Sequence, residues 1–314
     1  MTRVFGVFVG AILLAGSIMA QVDVQETISK EATADLQSKQ PINLPLWADE
    51  VPMAKGDAEK DIPDLIAYLP DIKSSQSRGA IVILPGGGYG GLAIGHEGHE
   101  IARWANEMGM AGIIVRYRHR GRGYGHPTPM LDAQRAIRLV RSHAADWGID
   151  SSKVGVMGFS AGGHLATTTL TKFDSGKPGS ADPVERQSSR PDFGIVCYAV
   201  VAMGESFTHA GSQRNLLGRE ASPELVRLMS NEKQVSSETP PCFVWHTAED
   251  VVVPAENSLR FYSALVQKKV PAELHIFAKG RHGIGLGADV DGASEWPKLC
   301  ESWLVRNGFA VHKK

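Results

Sequence analysis

"GFSAGGHL", residues 158–165, decides how the rest of the chain is read. Ser160 stands between glycines at both ±2 positions and follows the apolar run "KVGVM". In a chain of 314 residues with 34 glycines, that spacing is weak by itself. It gains meaning from its setting, because a strand-like run ends at the serine and a helix-like pattern begins there. A strand that turns sharply into a helix needs small residues beside the turn, and it lifts the side chain at its apex to the carboxyl end of the sheet. A serine hydroxyl so placed becomes a nucleophile only if the chain also supplies a base, an acid to orient it and donors for an oxyanion.

Outward from the turn, apolar strand-like runs alternate with helical patterns. "LIAYLP", "GAIVILP", "AGIIVRYR", "KVGVMGF", "DFGIVCYAVV", "CFVWHTA" and "AELHIFA" predict strands. "HEIARWANEMG", "PMLDAQRAIRLVRSHAADWG", "AGGHLATTTLTKF", "PAENSLRFYSALVQKK" and "SEWPKLCESWLVRNG" predict helices. The strand runs are nearly continuous in apolar and β-branched residues, as expected of strands buried on both faces. The expected fold class is therefore α/β, a doubly wound, mostly parallel sheet with helices on both faces. Residues 202–239 interrupt the alternation with only a short helical pattern, "SPELVRLMS", and are expected to form a small lid or rim.

Composition narrows the class. Hydrophobic residues make up 43% of the chain, enough for one large core, and the formal net charge of −1 gives no basic stripe for nucleic acid. Residues 1–20, "MTRVFGVFVGAILLAGSIMA", combine an early arginine, an apolar stretch and small residues before Gln21. That layout predicts a signal peptide cleaved near Ala20, hence export to the periplasm or beyond with no membrane attachment afterwards; an uncleaved anchor is the alternative. Residues 21–60 read as an extended leading segment and 61–314 as the catalytic domain. Cys197, Cys242 and Cys300 are an odd set in apolar surroundings, read as buried and non-catalytic.

The remaining chemistry falls where the fold needs it. "HTAEDVVVP" follows a strand and offers Asp250, with Glu249 as its competitor for the acid. Asp250 could instead cap the helix that starts near Pro254. "AKGRHGIGL" follows the last strand and offers His282 as the base, giving the chain order serine, acid, histidine. His246 reads as a packed group supporting the site. "LPGGGYGG", residues 84–91, follows a strand, and the N–H groups of Gly86, Gly87 and Gly88 with that of Ala161 are the candidate oxyanion donors. The loop lacks the spacing and ending of a phosphate-binding loop. "GHEGHE" (His96, His99, Glu100) lacks a further ligand nearby and reads as structural, so neither metal nor cofactor is expected. "RYRHRGRGYGHP" reads either as a solvated, salt-bridged loop or as a polar rim for a sugar, with Tyr89, Tyr124 and His126 as candidate substrate contacts.

On these pieces the chain resembles the α/β-hydrolase superfamily, and more narrowly its exported bacterial acetyl-xylan-esterase and feruloyl-esterase-like group. The resemblance runs over roughly residues 42–310 and is carried by "PGGGYGGLAIGHEGHEIARW", "GHPTPMLDAQRAIRLVRSHAADWGID", "GFSAGGHLA", "SSRPDFGIVCY", "HTAEDVVVPAENS" and "GRHGIGL". It implies Ser160 as nucleophile, Asp250 as acid, His282 as base, and a small-molecule or polysaccharide ester such as acetylated xylan as substrate. Pro85 departs from the histidine often found before such a glycine run, which leaves open which N–H points inward. A prolyl-oligopeptidase-like peptidase and a non-catalytic binding module are the alternative functions. The first usually carries a large extra domain, and the second usually lacks one of the three residues.

Overall fold

A computed structural model of the protein describes residues 41–70 and 78–311. The expected signal peptide and residues 21–40 lie outside the described residues. Among the described residues eight strands form one sheet: β1 (Ile42–Pro45), β2 (Asp64–Tyr68), β3 (Arg78–Leu84), β4 (Ala111–Arg116), β5 (Ile149–Phe159), β6 (Gly194–Cys197), β7 (Cys242–Thr247) and β8 (Ala272–Phe277). Their spatial order is β1-β2-β4-β3-β5-β6-β7-β8. The first two strands pair antiparallel and the rest are parallel. Part of the leading segment is thus the edge strand of the sheet.

The helices are α1 (Glu100–Glu107), α2 (Thr128–Ser142), α3 (Ser160–Thr171), α4 (Ala210–Leu217), α5 (Pro223–Leu228), α6 (Glu256–Gln267) and α7 (Trp296–Arg306). The alternation along β3 explains why both faces need them. Ala80, Val82 and Leu84 join one apolar cluster with Ile137 of α2, Leu165 of α3 and Phe261 of α6. Ile81 and Ile83 join the other with Ile101 of α1 and Trp303 of α7. With a side-chain period of two and no wet face, each central strand must be apolar throughout. On the second face Trp245 stacks on Trp296 at 4.9 Å between ring centroids, and both are fully buried. Truncating either to alanine is expected to cost about 3–5 kcal/mol.

The parallel register gathers the strand ends. Leu84 lies opposite Gly158, and Phe159 opposite Cys197. The loops after β3, β5 and β6 therefore start side by side, and those after β7 and β8 follow at the same edge. This carboxyl edge is where open α/β sheets form crevices. Residues 202–239 carry two helices, α4 as well as the expected α5. The segment "AGSQRNLL" gave no helical pattern because of its weak helix formers and its scant buried apolar surface. Its start is held by a side-chain cap, the His209 ring accepting from the Ser212 N–H.

Candidate active site

Ser160 sits at the β5–α3 turn with φ +54, a left-handed conformation that a non-glycine residue adopts only when its surroundings enforce it. Close packing does so here. A Cβ on Gly162 would lie 2.0 Å from the Leu84 carbonyl oxygen, and one on Gly158 would lie 2.2 Å from that of Gly162. The Ser160 carbonyl in turn accepts from the Val200 N–H at 3.0 Å.

Ser160 Oγ lies 2.8 Å from His282 Nε2, and His282 Nδ1 lies 2.6 Å from Asp250 Oδ2. An ionised carboxylate only accepts, so Nδ1 carries the proton and Nε2 is left to accept from the serine hydroxyl. Burial alone pushes the Asp250 carboxyl up. Hydrogen bonds from His246, His282 and the Val253 N–H, together with the charge of His282, outweigh that and hold it well below the usual carboxylate range. Its Oδ1 accepts from the Val252 and Val253 N–H groups, each at 2.9 Å. Asp250 does not cap the helix near Pro254: α6 starts at Glu256 with Ala255 before it and no side-chain cap, and the two oxygens divide between the turn at Val252–Val253 and His282. Glu249 faces elsewhere, pairing with Lys279 at 2.7 Å and accepting from the Gly280 N–H at 3.2 Å. His246 is fully buried, takes the Ser258 hydroxyl on Nδ1, donates from Nε2 to the Val253 carbonyl, and lies 3.3 Å from Asp250 Oδ2.

In the glycine-rich loop the carbonyls of Pro85 to Gly88 are tied back into the protein. That of Pro85 accepts from the Tyr117 hydroxyl at 2.6 Å, and that of Gly86 from the Ala93 N–H at 2.9 Å. That of Gly87 accepts from the Gly90 and Gly91 N–H groups, and that of Gly88 from Asn215 of α4 at 2.9 Å. In a trans peptide the N–H points opposite the carbonyl. The Gly87 and Gly88 N–H groups are therefore turned away from these anchors; both residues line a cavity of about 710 Å³ with Ser160, and neither N–H finds an acceptor among the described residues. Ala161 is in the first turn of α3, where no i−4 carbonyl is available. Gly86 is a correction: its N–H donates to Glu97 Oε2 at 2.7 Å and is spent.

The candidate substrate contacts are a second correction. Tyr89 and Tyr124 are 1% and 2% exposed and do not line the cavity. The Tyr89 hydroxyl bonds His164 Nδ1 at 2.9 Å, and the Tyr124 hydroxyl donates to Asp61. Of the arginines nearby, Arg118 is fully buried against Asp132 and lies 5.0 Å over the Tyr124 ring, and Arg116 pairs with Asp64, whereas Arg120 at the tip is exposed, so the loop is salt-bridged at its base and solvated at its tip. Half-buried His126 also lies away from the cavity, its backbone N–H held by the Leu216 carbonyl. The cavity wall instead carries His96, His209, Arg281 and Asp289 beside Val252, Ile284 and Val290.

Three functional neighbours escape a reading of the sequence. Glu97 is 2% exposed, and its Oε1 accepts from the Tyr198 hydroxyl at 2.8 Å. The Tyr198 ring meets the His282 ring edge-on at 5.2 Å. His209 accepts the Ser212 N–H on Nδ1, so its neutral ring carries the proton on Nε2. Among the described residues no group of three or more His, Cys, Asp or Glu side chains is placed to hold a metal, and His99 bonds the Tyr68 hydroxyl at 2.8 Å. Cys197, Cys242 and Cys300 are buried free thiols, their acidity suppressed by burial.

Residues 65–265 match the model of the family described as BD-FAE. The chain is 39% identical over 232 residues to an endo-1,4-beta-xylanase B of Butyrivibrio fibrisolvens, covering 73% of this chain and 35% of that protein. It is 36% identical over 228 residues to an acetylxylan esterase of Xylanibacter ruminicola, covering 71% of this chain and 44% of that one. The chain thus spans less than half the length of these two curated relatives. The crystal structure of an acetyl ester-xyloside bifunctional hydrolase from Caldicellulosiruptor lactoaceticus matches with a TM-score of 0.81 at 45% identity, over 86% of this chain and 97% of that one. A carboxylesterase from Lactobacillus plantarum shares the fold, with a TM-score of 0.70 at 22% identity over 88% and 100% of the two chains.

Proposed function

The chain belongs to the BD-FAE family, and from that premise we propose that it is an exported serine carboxylic-ester hydrolase acting on short-acyl esters of carbohydrates such as acetylated xylan. The observation that carries the chemistry is the hydrogen-bonded series Ser160–His282–Asp250 beside the unspent N–H groups of Gly87, Gly88 and Ala161. Ser160 Oγ attacks the ester carbonyl while His282 Nε2 takes its proton. The oxygen that gains charge is received by the loop N–H groups and by that of Ala161, which are preorganised donors. His282 then protonates the departing alcohol, and water, activated by the same nitrogen, releases the acid from Ser160. Asp250 keeps the imidazole in the accepting tautomer throughout.

A carbohydrate alcohol suits a wall that combines His96, His209, Arg281 and Asp289 with a few small apolar side chains. It also agrees with the names of the relatives above. Export rests on the sequence of residues 1–20, and protein recovered from an exporting host is expected to begin at Gln21 on N-terminal sequencing. The test of the chemistry compares the chain with Ser160→Ala on p-nitrophenyl acetate, p-nitrophenyl octanoate and acetylated xylan. The expected result is turnover of the acetyl esters, poor turnover of octanoate, and a loss on the order of 10⁶ in the variant. A folded Ser160→Ala protein with substantial activity overturns the assignment of the nucleophile. An intact chain without turnover overturns the esterase reading.

A further inference from the structure

Two parts of the site come from distant strands. The glycine loop follows β3, while His282 follows β8, four places away in the sheet. One buried series of hydrogen bonds joins them. The Gly285 N–H donates to the Tyr198 hydroxyl oxygen at 3.0 Å, that hydroxyl donates to Glu97 Oε1 at 2.8 Å, and Glu97 Oε2 accepts from the Gly86 N–H at 2.7 Å. Its direction is fixed by chemistry. A peptide N–H can only donate, so the tyrosine must spend its single proton on the carboxylate, and both carboxylate oxygens must accept. Glu97 itself sits on a π-helical turn, Gly95–His99, an irregularity that aims its side chain back under the loop.

We propose that Glu97 and Tyr198 are positioning residues for ester hydrolysis, setting the distance between the oxyanion donors and His282. The inference rests on the reading of Ser160 as nucleophile and of Gly87 and Gly88 as donors. A glycine loop needs such a lock because its peptides rotate at little steric cost, and Gly87 already has φ +129. With its N–H held by Glu97, Gly86 directs its carbonyl to Ala93, which leaves the Gly87 N–H facing the cavity. Released from Glu97, the same peptides can turn a carbonyl toward the developing oxyanion and replace attraction with repulsion. At the other end, the Tyr198 hydroxyl holds the backbone of Gly285 three residues beyond His282, while its ring packs edge-on against the imidazole.

The test uses Tyr198→Phe, which removes one oxygen atom, and Glu97→Gln, whose amide can accept from one of the two donors but presents its own N–H to the other. Active sites are counted by phosphonylation of Ser160. Turnover per site on p-nitrophenyl acetate is expected to fall about 10²-fold in each variant with KM little changed. The inhibition constant of a trifluoromethyl ketone, whose hemiketal with Ser160 places an oxyanion on the same donors, should rise in proportion. The double variant should lose no more than the worse single one, because both changes break one series. A purely structural role lowers Tm and leaves turnover per site and ketone affinity unmoved, and that result in Tyr198→Phe overturns the proposal. So do losses that multiply in the double variant. Activity that survives Ser160→Ala overturns instead the reading on which the proposal rests. If Glu97→Gln does not fold, Tyr198→Phe carries the test alone.

Discussion

Asp250→Asn is the perturbation that most sharply tests how the site is wired. The carboxylate meets three full donors, the Val252 and Val253 N–H groups on Oδ1 and His282 Nδ1 on Oδ2, while His246 Nε2, whose proton goes mainly to the Val253 carbonyl, lies 3.3 Å from Oδ2. Asparagine supplies one accepting oxygen and one donating nitrogen, so it must choose. Turning its nitrogen toward the two backbone N–H groups would set donors against donors at two bonds, each worth about 1 kcal/mol or more when left unmade. The amide oxygen therefore stays on the backbone and the nitrogen faces His282. The imidazole is then forced to accept on Nδ1 and to carry its proton on Nε2, where it meets the Ser160 hydroxyl as a donor and cannot take its proton. Loss of the correct tautomer is expected to cost about 10⁴ in kcat, or ~5 kcal/mol of transition-state stabilisation. Stability should change far less, because the bonds to the Val252–Val253 turn survive. The lowered pKa of Asp250 contributes stability that is fully present above the unfolded carboxyl value near ~3.9 and is lost only as pH falls through its lower folded value. The comparison is best run at pH 8, with kcat on p-nitrophenyl acetate as the readout and Tm as the control for folding. Glu249→Gln serves as the contrast, since Glu249 is half exposed beside Lys279 and should leave kcat nearly intact. An Asp250→Asn protein with a tenth or more of normal turnover, or a large loss in Glu249→Gln, would refute the assignment.

Other expectations follow from individual contacts. Gly87→Ala would place a Cβ 2.2 Å from the Gly91 carbonyl oxygen at φ +129, so the loop must shift and kcat/KM on p-nitrophenyl acetate should fall about 10²-fold; an unchanged value would remove Gly87 from the oxyanion site. Tyr89→Phe and Tyr124→Phe should lower Tm while leaving KM for acetylated xylan unchanged, because both hydroxyls are buried in structural bonds, and a raised KM would return them to the substrate. His209→Ala should raise KM for acetylated xylan more than for p-nitrophenyl acetate, since it removes a donor from the cavity wall, and equal effects on both would exclude a sugar contact. Buried His164 is held neutral, its pKa pushed down to about 3 by burial, whereas the unfolded imidazole titrates near ~6.5. Its contribution is complete above the unfolded value and is lost as pH falls toward the folded one, by up to about 1.4 kcal/mol per pH unit. Urea midpoints between pH 7 and 5 should therefore fall less steeply in His164→Asn than in the wild type, and parallel slopes would contradict this.

The parts of the fold legible in the sequence are those set by local pattern. "AIVIL", "GIIVR" and "VGVMGF" read as doubly buried strands because β3, β4 and β5 bury both faces. Ser160, Asp250 and His282 were accessible to the same logic, each standing just past the end of such a run. Glu97 was not. It lies among His96, His99 and Glu100 in a stretch that reads as a metal pattern or a structural turn, and its meaning depends on Tyr198, 101 residues away. No periodicity encodes a partner at that distance. Tyr89 and Tyr124 misled for a related reason: aromatic residues among glycines and arginines read as open to substrate, while Tyr89 packs inward against Tyr117 and His164 and Tyr124 lies beneath Arg118.

The remaining step concerns why the strained serine persists. A left-handed non-glycine residue costs on the order of 1–3 kcal/mol, which a turn held only by its own chain would relieve by opening. Here relief is blocked from three sides. The Ser160 carbonyl is bound by the Val200 N–H of the next strand's loop, Gly162 packs against the Leu84 carbonyl too closely for a Cβ, and Ser160 Oγ is engaged by His282. Val200 follows Tyr198 by two residues, so the segment that pins the serine backbone is the same one that links the glycine loop to the histidine loop. A disturbance at Tyr198 should therefore reach Ser160, His282 and the N–H groups of the glycine loop together. For that reason kcat, rather than KM, is the quantity expected to fall when its hydroxyl is removed.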